Sequence, residues 1–125
     1  MFRRILVPTD FSENCQRALE TAVALADRPD GKVSVMHVIE TLAETSDEAL
    51  ERFYDKLRTR AEMKMDALTA PFSEGEVPVE TRLVFGNRAA EILKAAQALS
   101  VDLIVMASRR IDLNFPTRGW GTISQ

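Results

Sequence analysis

Short apolar runs closed by turn residues alternate along this chain with stretches of helical period, and that alternation restricts the fold more than any other feature. Arg4-Ile-Leu-Val-Pro-Thr9 is the first run, and its brevity and closing proline predict a buried strand. Ser12 is the expected N-cap of the next element, with Glu13 well placed for the helix dipole. Cys15, Ala18, Leu19, Ala22, Leu25 and Ala26 then recur at three- and four-residue intervals, giving one apolar helical stripe. Pro29-Asp30-Gly31 interrupts the chain, and Val33 to Ile39 predicts a second strand. From about Ser46 to Ala70 the spacing predicts the longest helix. Leu50, Phe53, Tyr54, Leu57, Ala61, Met65 and Leu68 make its buried face, and its charged outer face reads as solvated. Val77 to Phe85 predicts a third strand. Gly86-Asn87 supplies a turn and an N-cap for a helix carrying Ala90, Ile92, Leu93, Ala96 and Leu99. Asp102-Leu-Ile-Val-Met-Ala107 is a fourth apolar run and reads as a central strand. Ser108 to Gly121 reads as a polar loop, and Thr122 as the N-cap of a further helix.

Strands and helices in this order form successive right-handed βαβ units. The expected fold is α/β: a Rossmann-like parallel sheet with helices on both faces and strand order 3-2-1-4. Without repeats, low-complexity segments or a linker, residues 1–125 read as one domain. In such sheets ligands bind beyond the carboxyl ends of the strands, where the strand order reverses. Here that point falls between the first and fourth strands. It sets Pro8, Thr9 and Asp10 opposite Met106, Ala107, Ser108, Arg109 and Arg110. The Gly119-Trp120-Gly121-Thr122 turn can fold back toward them, and glycines ahead of a helix expose N–H groups that suit a phosphate.

Several function classes lose their parts at this stage. A formal charge of −3 argues against a nucleic-acid partner, which needs a basic face. No apolar run nears the roughly 18 residues of a membrane span, and Met1-Phe2-Arg3-Arg4 leads into no signal-peptide core. The single cysteine, Cys15, fits a reducing, cytoplasmic setting and reads as a packed thiol. The single histidine, His37, leaves too few ligands for zinc and reads as a hydrogen-bonded core residue. No nucleophile is marked beside a base, so binding rather than catalysis is the expectation. Asp10 is either a ligand contact or a turn residue, and Arg109, Arg110 and Arg118 form either an anion site or a solvated loop. Trp120 covers the cleft or packs on a partner; its neighbours decide neither.

Ile5-Leu-Val-Pro-Thr-Asp-Phe-Ser12, the Ala18-Leu19 helix, His37-Val38-Ile39, the Gly86 turn and Asp102-Leu-Ile-Val-Met106 together resemble the universal stress protein family, in order and spacing over essentially the whole chain. The resemblance implies a homodimer with roles in stress tolerance, binding ATP in one branch and working without nucleotide in another. In the ATP-binding branch, positions matching Asp10 and Val38 meet the ribose and adenine. A glycine after the fourth strand, a second three residues later, and a Gly-Ser or Gly-Thr pair nine residues on cradle the phosphates. Ala107 and Arg110 stand where those two glycines belong; Gly121-Thr122 matches the closing pair across a loop one residue longer. Alanine in a left-handed conformation costs roughly 1 kcal/mol or more, and an arginine side chain fills space where backbone would touch phosphate. The expectation is therefore a degenerate adenine-nucleotide site at Pro8, Thr9, Asp10, Val38, Met106, Ala107, Arg110, Gly121 and Thr122. The alternative is intact ATP binding with Arg109 and Arg110 gripping phosphate through their guanidinium forks.

Other readings fare less well. An ATP-using enzyme of the adenylating or pyrophosphatase kind needs a Ser-Gly-Gly type loop where Pro8-Thr-Asp-Phe-Ser12 stands. A phosphorylated receiver needs an aspartate where Val84-Phe85-Gly86-Asn87 stands. A purely structural dimer module differs from the leading reading only in binding no small molecule. Family members continue past Gly121-Thr122 to a last strand, commonly at the dimer interface, so the chain reads as incomplete or as covered by a neighbouring subunit at Leu103 to Met106.

Overall fold

The computed structural model describes residues 2–28, 30–41 and 48–107. Its elements run β1 (Arg4–Pro8), α1 (Cys15–Leu25), β2 (Lys32–Glu40), α2 (Glu48–Thr69), a 3-10 turn at Ala70–Phe72, β3 (Val79–Gly86), α3 (Arg88–Ala98) and β4 (Leu103–Ile104). The strands form one parallel sheet in the order β3-β2-β1-β4, as the alternation of elements predicts. The loop expected from Ser108 to Gly121 and the helix expected at Thr122 lie outside the described residues.

Register decides which side chains meet. Ile5 and Val7 of β1 stand beside Val33 and Val35 of β2. All four are buried in one cluster with Ala18, Leu19 and Ala22 of α1 and Met65 of α2. Because strand side chains alternate between faces, Leu6, Met36 and Val38 fall on the opposite side. There they pack with Ala95 of α3, flanked by Ile92, Ala96 and Leu99. α1 and α2 thus cover one face and α3 the other, which right-handed crossovers require when β2 and β3 lie to one side of β1 and β4 to the other.

Several local expectations need correction. The N-cap of α1 is Asn14, which makes no side-chain capping bond, and not Ser12. Ser12 lies in the turn ahead of the helix, its N–H donating to the Asp10 carboxylate at 2.9 Å. Asn87 does cap α3, its Oδ1 accepting from the Ala90 N–H at 3.0 Å. β3 begins at Val79 instead of Val77: Pro78 has no N–H to give a ladder, although its carbonyl still accepts from Val33. Phe53 and Leu93 are not core residues, being 48 % and 62 % exposed. Ala95 takes the inward position on α3.

β4 is the edge strand among the described residues, where it pairs with β1 alone and leaves Ile104 and Met106 each 39 % exposed. The ladder between them is short. Val105 N–H donates to the Leu6 carbonyl at 3.0 Å, and Pro8, two residues further on the same side of β1, offers no N–H to extend it. At the other end Asp102 ties the strands together, its carboxylate accepting from the backbone N–H groups of Arg3 and Arg4 at 3.0 and 3.1 Å. Gly31 is required by close approach. A Cβ there would run into the backbone of Asp27, whose carbonyl accepts the Gly31 N–H at 2.7 Å.

Leu19 is fully buried between α1 and the sheet. Leu19→Ala is expected to lower stability by about 2–5 kcal/mol, read as a shift of the urea unfolding midpoint. A second outcome concerns acid. The bonds from Arg3 and Arg4 outweigh desolvation and hold the Asp102 carboxyl below its ordinary value. The Ser34 hydroxyl does the same for Glu80 against desolvation, helped by Lys32. A depressed folded value stabilises the fold above the unfolded carboxylate value of about 4, and that contribution disappears as pH falls through the lower folded value. The urea midpoint should therefore drop as pH is taken below about 4, and Asp102→Asn should make the drop shallower.

Candidate functional site

β1 runs into its loop without breaking contact with β2. Thr9 is buried, its N–H donates to the Met36 carbonyl at 2.8 Å, and its own carbonyl lies 2.7 Å from Nδ1 of His37. Two side-chain turns then fold the loop on itself. The Phe11 N–H donates to Thr9 Oγ1 at 3.0 Å and the Ser12 N–H to Asp10 Oδ1 at 2.9 Å, the local bonds through which threonine and aspartate shape turns. Phe11 sits at φ 62°, a left-handed conformation that costs an L-residue about 1–2 kcal/mol. The two turns, and the Phe11 ring against His37 with centroids 4.3 Å apart, offset that cost.

Asp10 is exposed on this loop, as are Ser12 and Glu13. Partial burial works against its charge, but the backbone and hydroxyl of Ser12 and the thiol of Cys15 outweigh it and hold the carboxyl below the usual carboxylate range. The Cys15 thiol donates to Asp10 Oδ1 at 3.4 Å from a buried position. Asp10 is therefore ionised at neutral pH, and the chemistry it offers is that of a fixed anionic acceptor for hydroxyl or amine donors.

The remaining expected site residues divide into three groups. Pro8 ends β1 beside Met36, and Val38 is 6 % exposed on β2, its side chain in the cluster under α3. Only backbone at Val38 is therefore available to a ligand. Met106 and Ala107 follow β4, the neighbour of β1, at the same carboxyl edge as Asp10, with Ala107 packed against the cluster under α1. Among the described non-glycine residues only Phe11 and Ser100 have positive φ, so Ala107 does not adopt the conformation a glycine would favour, and its Cβ is the physical reason. Arg109, Arg110, Arg118, Gly119, Trp120, Gly121 and Thr122 lie outside the described residues.

Ser12, Cys15 and Phe11 were not recognisable from the sequence as parts of this arrangement. The Thr-Asp-Phe-Ser order carries a signal for side-chain turns, but no signal marks a phenylalanine for positive φ. Among the described residues no group of three or more His, Cys, Asp or Glu is arranged to hold a metal ion. No helix among them is long and apolar enough to cross a membrane.

Comparison with known proteins agrees with this architecture. The model of the universal stress protein family matches residues 1–119. Universal stress protein YxiE of Bacillus subtilis is 31 % identical, the match covering 89 % of this chain and 82 % of that one. The solved structure of the hypothetical protein MJ0577, called a universal stress protein of Methanocaldococcus jannaschii, superposes with a TM-score of 0.72 at 31 % identity, over 89 % of this chain and 78 % of that one. An Arabidopsis thaliana family member with AMP bound shares the fold alone, with a TM-score of 0.61 at 18 % identity, over 97 % of this chain and 80 % of that one. Motif order, sheet topology and these matches together establish that the chain belongs to the universal stress protein family.

Proposed function

We propose that this chain is a regulatory binding module for an adenine nucleotide, held at the carboxyl edge of the sheet between β1 and β4. The observation that carries the reading is Asp10, an ionised carboxylate fixed by a double turn where the strand order reverses. A ribose offers hydroxyl donors to such a group, and backbone at the end of β2 near Val38 offers adenine its hydrogen-bond partners. Adenine nucleotide is also what the AMP-bound family member of the same fold holds. The phosphate end is altered. Alanine at 107 and arginine at 110 replace the two glycines of the family's phosphate loop, and Ala107 keeps a non-glycine backbone. The nucleotide is bound without turnover, and the protein acts as a cytoplasmic homodimer in the stress response, as in the family it resembles.

Calorimetric titration of the purified chain with AMP and ATP tests this. AMP and ATP should bind with affinities within about ten-fold of each other, because the altered loop adds little for the extra phosphates. Asp10→Ala should weaken both by about 10- to 100-fold, the usual effect of losing a charged hydrogen-bond acceptor. Ala107→Gly combined with Arg110→Gly should favour ATP over AMP. ATP bound several hundred-fold tighter than AMP by the natural sequence would overturn the altered phosphate end. No binding of either nucleotide would leave a structural dimer module.

A further inference from the structure

His37 was expected to be a satisfied core residue, and its surroundings give it a more specific task. It stands on β2 opposite Leu83 of β3, one residue beyond the Met36 carbonyl that receives the Thr9 N–H. The partner of its Nδ1 is the Thr9 carbonyl at 2.7 Å. A carbonyl oxygen only accepts, so Nδ1 carries the proton and donates. The other working part of the side chain is its ring, tilted 37° against the Phe11 ring. On Phe11 in turn sits Lys64 of α2, with Nζ 5.8 Å from the ring centroid, within cation–π range. The loop is thus clasped between β2 and α2 at the residue whose backbone is left-handed.

Left-handed backbone at a phenylalanine persists only where the surroundings enforce it. The turns at Thr9 and Asp10 are local, and each can re-form in other loop conformations. His37 differs because it reaches the loop from a strand that is itself locked by pairing on both sides. It grips the residue before Asp10 through a hydrogen bond and the residue after it through ring contact.

We propose that His37 is the positioning residue of the Thr9-Asp10-Phe11 loop: its Nδ1–H on the Thr9 carbonyl and its ring on Phe11 hold the Asp10 carboxylate in place at the sheet edge. The consequence for ligand affinity rests on the adenine-nucleotide reading above; the holding of the loop does not.

Amide hydrogen exchange by NMR, with AMP titration on the same samples, separates the two. In His37→Ala the Phe11 and Ser12 amides should exchange about ten-fold faster or more, while amides within β1 and α1 keep their protection. His37→Phe keeps a ring and loses the donor, and should show a smaller but clear acceleration. His37→Asn regains an N–H donor near the place of Nδ1 and should recover part of the protection. AMP affinity should fall in the same rank order. Wild-type exchange at Phe11 and Ser12 in His37→Ala overturns the proposal; faster exchange with unchanged AMP affinity overturns its consequence for ligand binding and leaves the holding of the loop supported. Should His37→Ala fail to fold, His37→Phe decides by the same criteria. Absence of AMP binding to the natural sequence overturns the nucleotide reading alone, and the exchange rates then decide the part played by His37.

Discussion

The in-register parallel pairing of β1 with β2 is the interaction on which the rest of this structure depends. It fixes Ile5 and Val7 against Val33 and Val35, and so decides which face receives α1 and α2 and which receives α3. A slip of β1 by one residue would turn Leu6 into the α1 cluster and Ile5 and Val7 out of it, disrupting both cores. The same pairing continues one residue past the strand through the Thr9 N–H and the Met36 carbonyl. The loop that carries Asp10 therefore starts from a fixed height above the sheet.

Opposite that pairing, the sheet opens. β1 and β4 are joined by a short ladder that ends where Pro8 has no N–H to contribute, with Asp102 holding the amino end closed. One edge of β1 is bonded as far as Thr9 and the other is released before it. This asymmetry falls at the point of strand reversal, the place where open parallel sheets generally bind their ligands. The proline and the aspartate lie at opposite ends of the ladder, and each does its part through the backbone groups it lacks or satisfies.

Much of this was legible in the residues. The apolar runs and helical stripes predicted the four strands and three α-helices of the described residues, their order and the sheet topology, since burial periodicity is written directly in the chain. Asn87 as a cap and Pro8-Thr9-Asp10 as the loop at the sheet edge were readable for the same local reason. What failed was information about neighbours. Phe53 and Leu93 satisfy the helical spacing, yet they fall on flanks that no element among the described residues covers. Asp102 to Ala107 reads as central by composition, but its position depends on what pairs beyond it. Ser12 looks like a cap, yet α1 starts only at Cys15, and Ser12 stands in the preceding turn with its N–H on the Asp10 carboxylate.

The sequence by itself determined the fold class, the family and the segment that forms the sheet edge, because periodicity, turn residues and motif order are properties of adjacent positions. Only the tertiary structure decided how Asp10 is held. The partners involved are a thiol five residues on, a histidine from β2 and a phenylalanine in a conformation its own chemistry disfavours. Those contacts join residues up to 28 positions apart, and they exist only once parallel pairing has brought the ends of β1 and β2 side by side.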